Sequence, residues 1–269
     1  LSHWVSPPRV PELELHTISA SHFVEKVRWC MDRLGVEYTE KKSAATLSAF
    51  YLGYNVPRLL FRTGAVRSSI GNSAEILRYL WGRYAAEMPD QAGFLEPTAE
   101  RLELEKRIDR CGVDLQVWIY HHVLDHPGLT KRAWGCEDPA IPAWQRIVLK
   151  ALYPLQSFLI RKAFRISPAR HAKAVEHLDA LMDDVEQLLE DGRGSILGGD
   201  AANFTDYAYA AIMGLWLQPE GYGGGRAEHV HIAREEYPPA MAKEIERWTG
   251  RYPLGVAFIQ SLYESRGRS

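Results

Sequence analysis

A small α/β domain followed by a larger, all-helical one is the fold class this chain predicts, and three observations carry the prediction. The first 40 residues alternate strand, helix and strand signals. An apolar hairpin with a Thr-Gly turn follows, and beyond residue 97 the pattern is helical throughout. A chain of 269 residues has room for two ordinary domains, each with its own core.

From Glu12 to Ile18, Leu13, Leu15 and Thr17 alternate with Glu14, His16 and Ile18, which reads as a strand. Ser21 then precedes a helix in which Phe23, Val27, Cys30, Met31 and Leu34 recur at helical spacing, and Gly35 supplies the stop. A second strand is expected over Val36 to Glu40. The tight connections imply a parallel pair joined by a right-handed crossover. A loosely helical piece is expected near Ala44 to Tyr51. Asn55 to Phe61 and Ala65 to Ile70 flank the Thr63-Gly64 turn as an antiparallel hairpin, and Asn72 or Ser73 starts a helix carrying Ile76, Leu77, Leu80 and Trp81. Residues 1–84 thus form the first domain. The stretch 85–97 holds two prolines, a glycine and little periodicity, and reads as the linker. Residues 98–269 form the helical domain, with a long helix from about Thr98 to Leu124. In Ala172 to Leu189, residues Val175, Leu178, Leu181, Met182, Val185, Leu188 and Leu189 make one apolar stripe. Asn203 and Asp206 have the N-cap and N3 spacing of a variant capping box.

Hydrophobic residues at 46% and charged residues at 25% are globular proportions, and a formal charge of −2 argues against a nucleic-acid binder, which needs a clustered excess of Lys and Arg. No run of 18 apolar residues is present, so no membrane span is expected. The three cysteines, Cys30, Cys111 and Cys136, lie far apart and without zinc-site spacing, which points to a reducing compartment. His121 and His122 are adjacent on a helix and do not make an i, i+4 metal pair, so no metal is expected. The chain starts at Leu1 rather than Met, which leaves an upstream targeting segment open.

One serine stands out. Ser21 stands at the start of a helix, where unpaired backbone N–H groups and the positive end of the helix dipole favour an anion such as a thiolate, phosphate or carboxylate. Taken alone, it is also an ordinary N-cap.

In its order of elements and in four segments the chain resembles the soluble glutathione transferases, over nearly its whole length. The segments are Ser21 with Lys26, Val27 and Arg28; Val56-Pro57 before a strand; Gly71-Asn72-Ser73 through Tyr79-Leu80; and Leu197-Gly198-Gly199-Asp200 through Asn203 and Asp206. The resemblance implies a thioredoxin-like first domain with a cis bond at Val56-Pro57, where the Val56 backbone pairs with the cysteinyl part of glutathione. It implies that Ser73 and its helix N-terminus hold the γ-glutamyl carboxylate. Asn72 stands where the family has Gln or Glu and accepts from the amino group through its amide oxygen. Ser21 would donate a hydrogen bond to the glutathione sulfur and favour its ionised form, with Ser19 and His22 as nearby competitors. Val24 and Ser21 occupy the two cysteine positions of redox relatives, which excludes dithiol exchange.

The implied function is a cytoplasmic, homodimeric detoxification enzyme. It activates the thiolate of glutathione, its co-substrate, for attack on a small hydrophobic electrophile by conjugation, dehalogenation or thiolytic cleavage. His22, Trp118, His122, Trp134 and Tyr222 are the expected electrophile-pocket residues, and the long connections His126 to Pro142 and Gln218 to Tyr237 are expected to cover it. The alternative is a non-catalytic binding or regulatory protein on the same fold.

Overall fold

The computed structural model describes residues 11–45 and 56–266. Strand β1 (Glu12–Thr17) leads into helix α1 (His22–Leu34), capped by Ser21 in extended conformation and closed by Gly35 at φ 71°. Past Gly35 the N–H of Val36 turns back to the Met31 carbonyl at 3.4 Å, which closes the last helical turn and occupies the residues expected to begin a strand. Strand β2 therefore starts later than expected, at Thr39, and runs to Lys42. It pairs in parallel with β1 in the register Glu14 to Thr39.

The helical piece expected from Ala44 to Tyr51 lies, beyond residue 45, outside the described residues. Strands β3 (Arg58–Thr63) and β4 (Val66–Gly71) form the expected hairpin, with Gly64 at φ 63° in the turn where a side chain would be strained. Together the strands make a sheet in the order β2-β1-β3-β4, in which only the β1/β2 pair is parallel. Helix α2 (Ser73–Tyr84) follows, capped by Asn72.

The stretch 85–97 is more ordered than its composition implies. It contains the short helix α3 (Pro89–Ala92) and a 3₁₀ turn, and Ala92 and Leu95 are fully buried. Then come α4 (Ala99–Val123), α5 (Pro127–Ala133), α6 (Ala143–Ala151), α7 (Tyr153–Ala163), α8 (Pro168–Leu189), α9 (Phe204–Leu217), α10 (Pro239–Arg251) and α11 (Pro253–Arg266). Helix α9 is buried almost all round, as its apolar sequence FTDYAYAAIMGLWL requires. Its capping box closes as expected. Asp206, fully buried, accepts from the Asn203 N–H at 2.8 Å, the Ile196 N–H at 2.8 Å and the Ser195 hydroxyl at 2.7 Å.

Helix α1 is wedged between the sheet and the helices, and its charges are buried with it. Lys26, with no exposed surface, lies 2.8 Å from Glu105 and 2.8 Å from Asp109 on α4. Arg28 pairs with Glu40 and donates to the Ser19 carbonyl at 3.2 Å. Glu25 accepts from Arg266, from the Tyr263 hydroxyl at 3.1 Å and from the Gly223 N–H at 3.0 Å. Asp32 takes Arg226 at 3.1 Å and Arg266 at 2.8 Å. Removing one member of such a buried set strands its partner, typically at about 3–5 kcal/mol.

Candidate functional site

A cavity of about 740 Å³ lies between the N-terminal ends of α1 and α2 and the helical half of the chain. Its volume falls in the roughly 300–1,000 Å³ range of small-molecule sites. Ser21, the cis pair Val56-Pro57, Asn72 and Ser73 all line it, so the structure brings together residues 52 positions apart in sequence, from 21 to 73. A larger, more open depression of about 1520 Å³ runs along the sheet past Glu12, Tyr38 and Arg62, and it contains none of the candidate site residues.

Local structure explains each placement. The Ser21 oxygen faces the first turn of α1 and accepts from the Val24 N–H at 3.4 Å, a long and therefore weak cap. Asn72 holds φ 73° and ψ 133°, a region a side chain rarely adopts, while its amide oxygen accepts from the Ala74 N–H at 3.0 Å. Such a conformation costs on the order of 1–3 kcal/mol and is typically kept at functional sites. The adjacent Ser73 is 3% exposed and lines the cavity with Asn72 at the start of α2.

His22 lines the cavity, but its ring is committed elsewhere: Nε2 lies 3.0 Å from the Gly112 carbonyl on α4. Burial pushes its pKa down to about 4 against the opposing effect of that bond, so near neutral pH it carries no charge to offer a thiolate. Ser19 is buried and donates to Asp138 at 2.9 Å. The chain's own thiols are no rivals, because burial pushes Cys30 up to about 12 and Cys111 up to about 11, and raises Cys136 as well.

The opposite wall is apolar, with Ile119, Tyr120, Trp134, Phe164, Ile232 and Met241 among its members. Trp134 is where the sequence expected it, and Ala133, Trp134, Val230, Ile232 and Tyr237 show both long connections contributing to the wall.

Three expected pocket residues lie elsewhere. On α4 the lining positions are Asp109, Val113, Gln116, Ile119, Tyr120 and Val123, which together span about a third of the helix circumference, one face. Trp118 and His122 are each two residues from Tyr120, about 200° around the helix, and so point away from the cavity. Trp118 packs on Trp248 with ring centres 4.9 Å apart and donates from Nε1 to Glu244 at 2.5 Å. His122 faces α8 and α10. Tyr222 is tucked inward by the turn at Gly221 and packs against α9, where Gly214 makes the room: a Cβ there would lie 3.2 Å from the Tyr222 ring.

Gln116, Phe164 and Met241 are lining residues that sequence reading missed, and of these Gln116 had a signal in its place on the same α4 face as Asp109, Val113, Tyr120 and Val123.

No protein-family profile and no curated protein matches the sequence. Solved structures do match in shape. A glutathione S-transferase from Methylobacillus flagellatus with glutathione bound superposes with a TM-score of 0.53 at 14% identity, covering 95% of this chain and 98% of the other. Another from Methylobacterium radiotolerans, in complex with glutathione sulfonate, gives 0.48 at 16% identity over 92% and 94%. A maleylacetoacetate isomerase from Anaeromyxobacter dehalogenans with glutathione in its active site gives 0.42 at 16% identity over 93% and 95%. The four-stranded mixed sheet of order β2-β1-β3-β4, followed by the helical half, is the glutathione transferase fold, with a thioredoxin-like N-terminal domain and a helical C-terminal domain.

Proposed function

We propose that this protein is a glutathione-dependent transferase in which Ser21 activates the thiol. The observation that carries the reading is the convergence of two helix N-termini, Ser21 on one and Asn72-Ser73 on the other, on a single cavity whose far wall is apolar. One side suits an anionic peptide and the other a hydrophobic electrophile. Residues 1–84 would hold glutathione, 85–97 connect, and 98–269 shape the electrophile side.

A free thiol with a pKa near 8.5 is only a few per cent ionised at neutral pH. In the proposed reaction the Ser21 hydroxyl donates to the sulfur while the N-terminus of α1 favours its charge. The thiol proton leaves to solvent, and the thiolate forms a carbon–sulfur bond as the electrophile's leaving group departs or its ring or double bond opens. A two-unit fall in the thiol pKa corresponds to about 2.7 kcal/mol. The Val56 backbone and Ser73 position the peptide, and Trp134 and His22 complete the pocket walls. The buried free cysteines are in keeping with a reducing, cytoplasmic setting. A homodimer is part of the proposal and is read by light scattering.

Isothermal titration with glutathione tests the reading: binding at micromolar to millimolar ligand is expected. Absence of binding at millimolar glutathione sinks it in favour of a non-catalytic binding protein on this fold, a reading in keeping with Asn72, whose amide oxygen already serves as a cap. If glutathione binds, Ser21→Ala should abolish the thiolate absorbance of the complex while leaving affinity within a few-fold. Unchanged thiolate absorbance would move the role to another group.

A further inference from the structure

Behind α4, on the face opposite the cavity, His122 from α4, His171 from α8 and Glu244 from α10 meet. Each offers a donor atom within 4.8 Å of the other two. The His122 Nε2 lies 3.6 Å, and the His171 Nε2 3.4 Å, from the same Glu244 oxygen, Oε2. Both distances are long for an N–H···O bond, whose usual value is about 2.9–3.0 Å. Both nitrogens are buried and make no hydrogen bond of good geometry, their nearest acceptor being that one Glu244 oxygen, and the His122 side chain is only 5% exposed. Two buried imidazole nitrogens aimed from a long distance at one carboxylate oxygen call for an explanation.

A shared cation supplies one. Two ligands at roughly 2.0–2.2 Å from a tetrahedral ion stand about 3.3–3.6 Å apart, and both measured separations fall in that interval. The surroundings fix the ligand orientations. The Trp118 indole donates to Glu244 Oε2 at 2.5 Å, leaving that oxygen a further lone pair and the carboxylate its second oxygen. His121 stacks on His171 with ring centres 4.1 Å apart, and His122 sits edge-on to Trp118 at 5.2 Å. Glu244, 26% exposed, opens the cluster to solvent.

From this geometry we infer that His122, His171 and Glu244 form a site for one divalent transition-metal ion of the zinc class, which ties α4, α8 and α10 together and keeps a fourth position for water. Two imidazoles and a carboxylate suit zinc and its neighbours and ill suit magnesium or calcium, which prefer all-oxygen sets. The adjacency of His121 and His122 concealed the site in the sequence, because its other ligands lie 49 and 122 residues further along. The inference is independent of the glutathione reading.

The test is calorimetric titration of chelator-treated full-length protein with zinc chloride, with cobalt(II) as a spectroscopic probe. The expected result is one zinc ion per chain, a raised Tm on adding one equivalent, no response to magnesium, and cobalt absorption bands of four-coordinate intensity. His171→Ala and Glu244→Gln, the latter keeping an acceptor for Trp118, should each weaken zinc binding by about a hundredfold with the circular dichroism spectrum unchanged. His229→Ala, in an exposed turn, should bind zinc as the parent does. Failure of the parent protein to bind zinc at micromolar concentration overturns the inference. So does retention of parental affinity in both His171→Ala and Glu244→Gln, or the loss of binding in His229→Ala.

Discussion

Replacing His22 with Gln removes a titrating ring and keeps an N–H able to reach the Gly112 carbonyl, which isolates the consequence of burying an imidazole beside Ser21. The folded protein holds this pKa down to about 4, chiefly through burial, and the unfolded chain has the ordinary 6.5. Between those values the unfolded state binds a proton that the folded state does not. Stability is therefore unaffected above pH 6.5, falls as the pH drops toward 4, and is level below it. The ceiling is 2.5 units at 1.36 kcal/mol each, about 3 kcal/mol, of which about 2 kcal/mol is lost by pH 5. Urea unfolding at pH 7.5, 6 and 5 reads this directly: the gap between the parent and His22→Gln should shift in favour of the variant by about 2 kcal/mol across the series. A gap that stays constant with pH, or a His22 ring that titrates near 6.5 by NMR, would refute the reasoning.

Other substitutions bear on the site and its supports. Ser21→Ala should lower glutathione turnover roughly 10- to 100-fold, the worth of one hydrogen bond to a charged group. Its 3.4 Å cap to Val24 is weak, so chemical denaturation should show a loss of no more than about 1 kcal/mol. Gly112→Ala places a Cβ 2.8 Å from Phe23 Cζ and 3.0 Å from Ile212 Cδ1. Overpacking of about 1–3 kcal/mol should outweigh the helical gain of about 1 kcal/mol, and a stabilised variant would show that Phe23 moves freely. Asp206→Ala leaves the N–H groups of Asn203 and Ile196 and the Ser195 hydroxyl without their acceptor. A loss of about 3 kcal/mol or more is expected, and a Tm within a degree or two of the parent would refute the capping role.

Where periodicity and capping chemistry coincide, the structure follows the sequence closely: Thr98 caps α4, Asn72 caps α2, and Gly35 ends α1. Val36 to Tyr38 misled because alternation alone does not reveal that the Val36 N–H is spent on the Met31 carbonyl. The residues proposed from sequence to face glutathione line one cavity: Ser21, Asn72 and Ser73 sit where a helix begins and Val56-Pro57 where a strand begins, places local signals mark well. The far wall was less legible. Aromatic residues on α4 attracted attention by type, whereas the angle around the helix decides which of them reach the cavity. Tyr222 turns inward through glycine conformations in a connection with no periodicity to read. The His122 cluster is assembled by tertiary packing of three helices, which no local spacing encodes.

The charges buried along α1 also have a bearing on biosynthesis. Glu25 has Arg28 one turn along its own helix at 4.0 Å, but the arginine that bonds it closely, Arg266, follows only 241 residues later in the chain. At roughly 5–20 residues per second that interval is on the order of 10–50 s. During it the first domain has every element of its sheet on hand but cannot bury α1 without stranding a charge. Final docking of α1 should therefore wait for α11 to emerge, and nascent chains stalled short of Arg266 should stay open to protease and chaperone at their oldest helix.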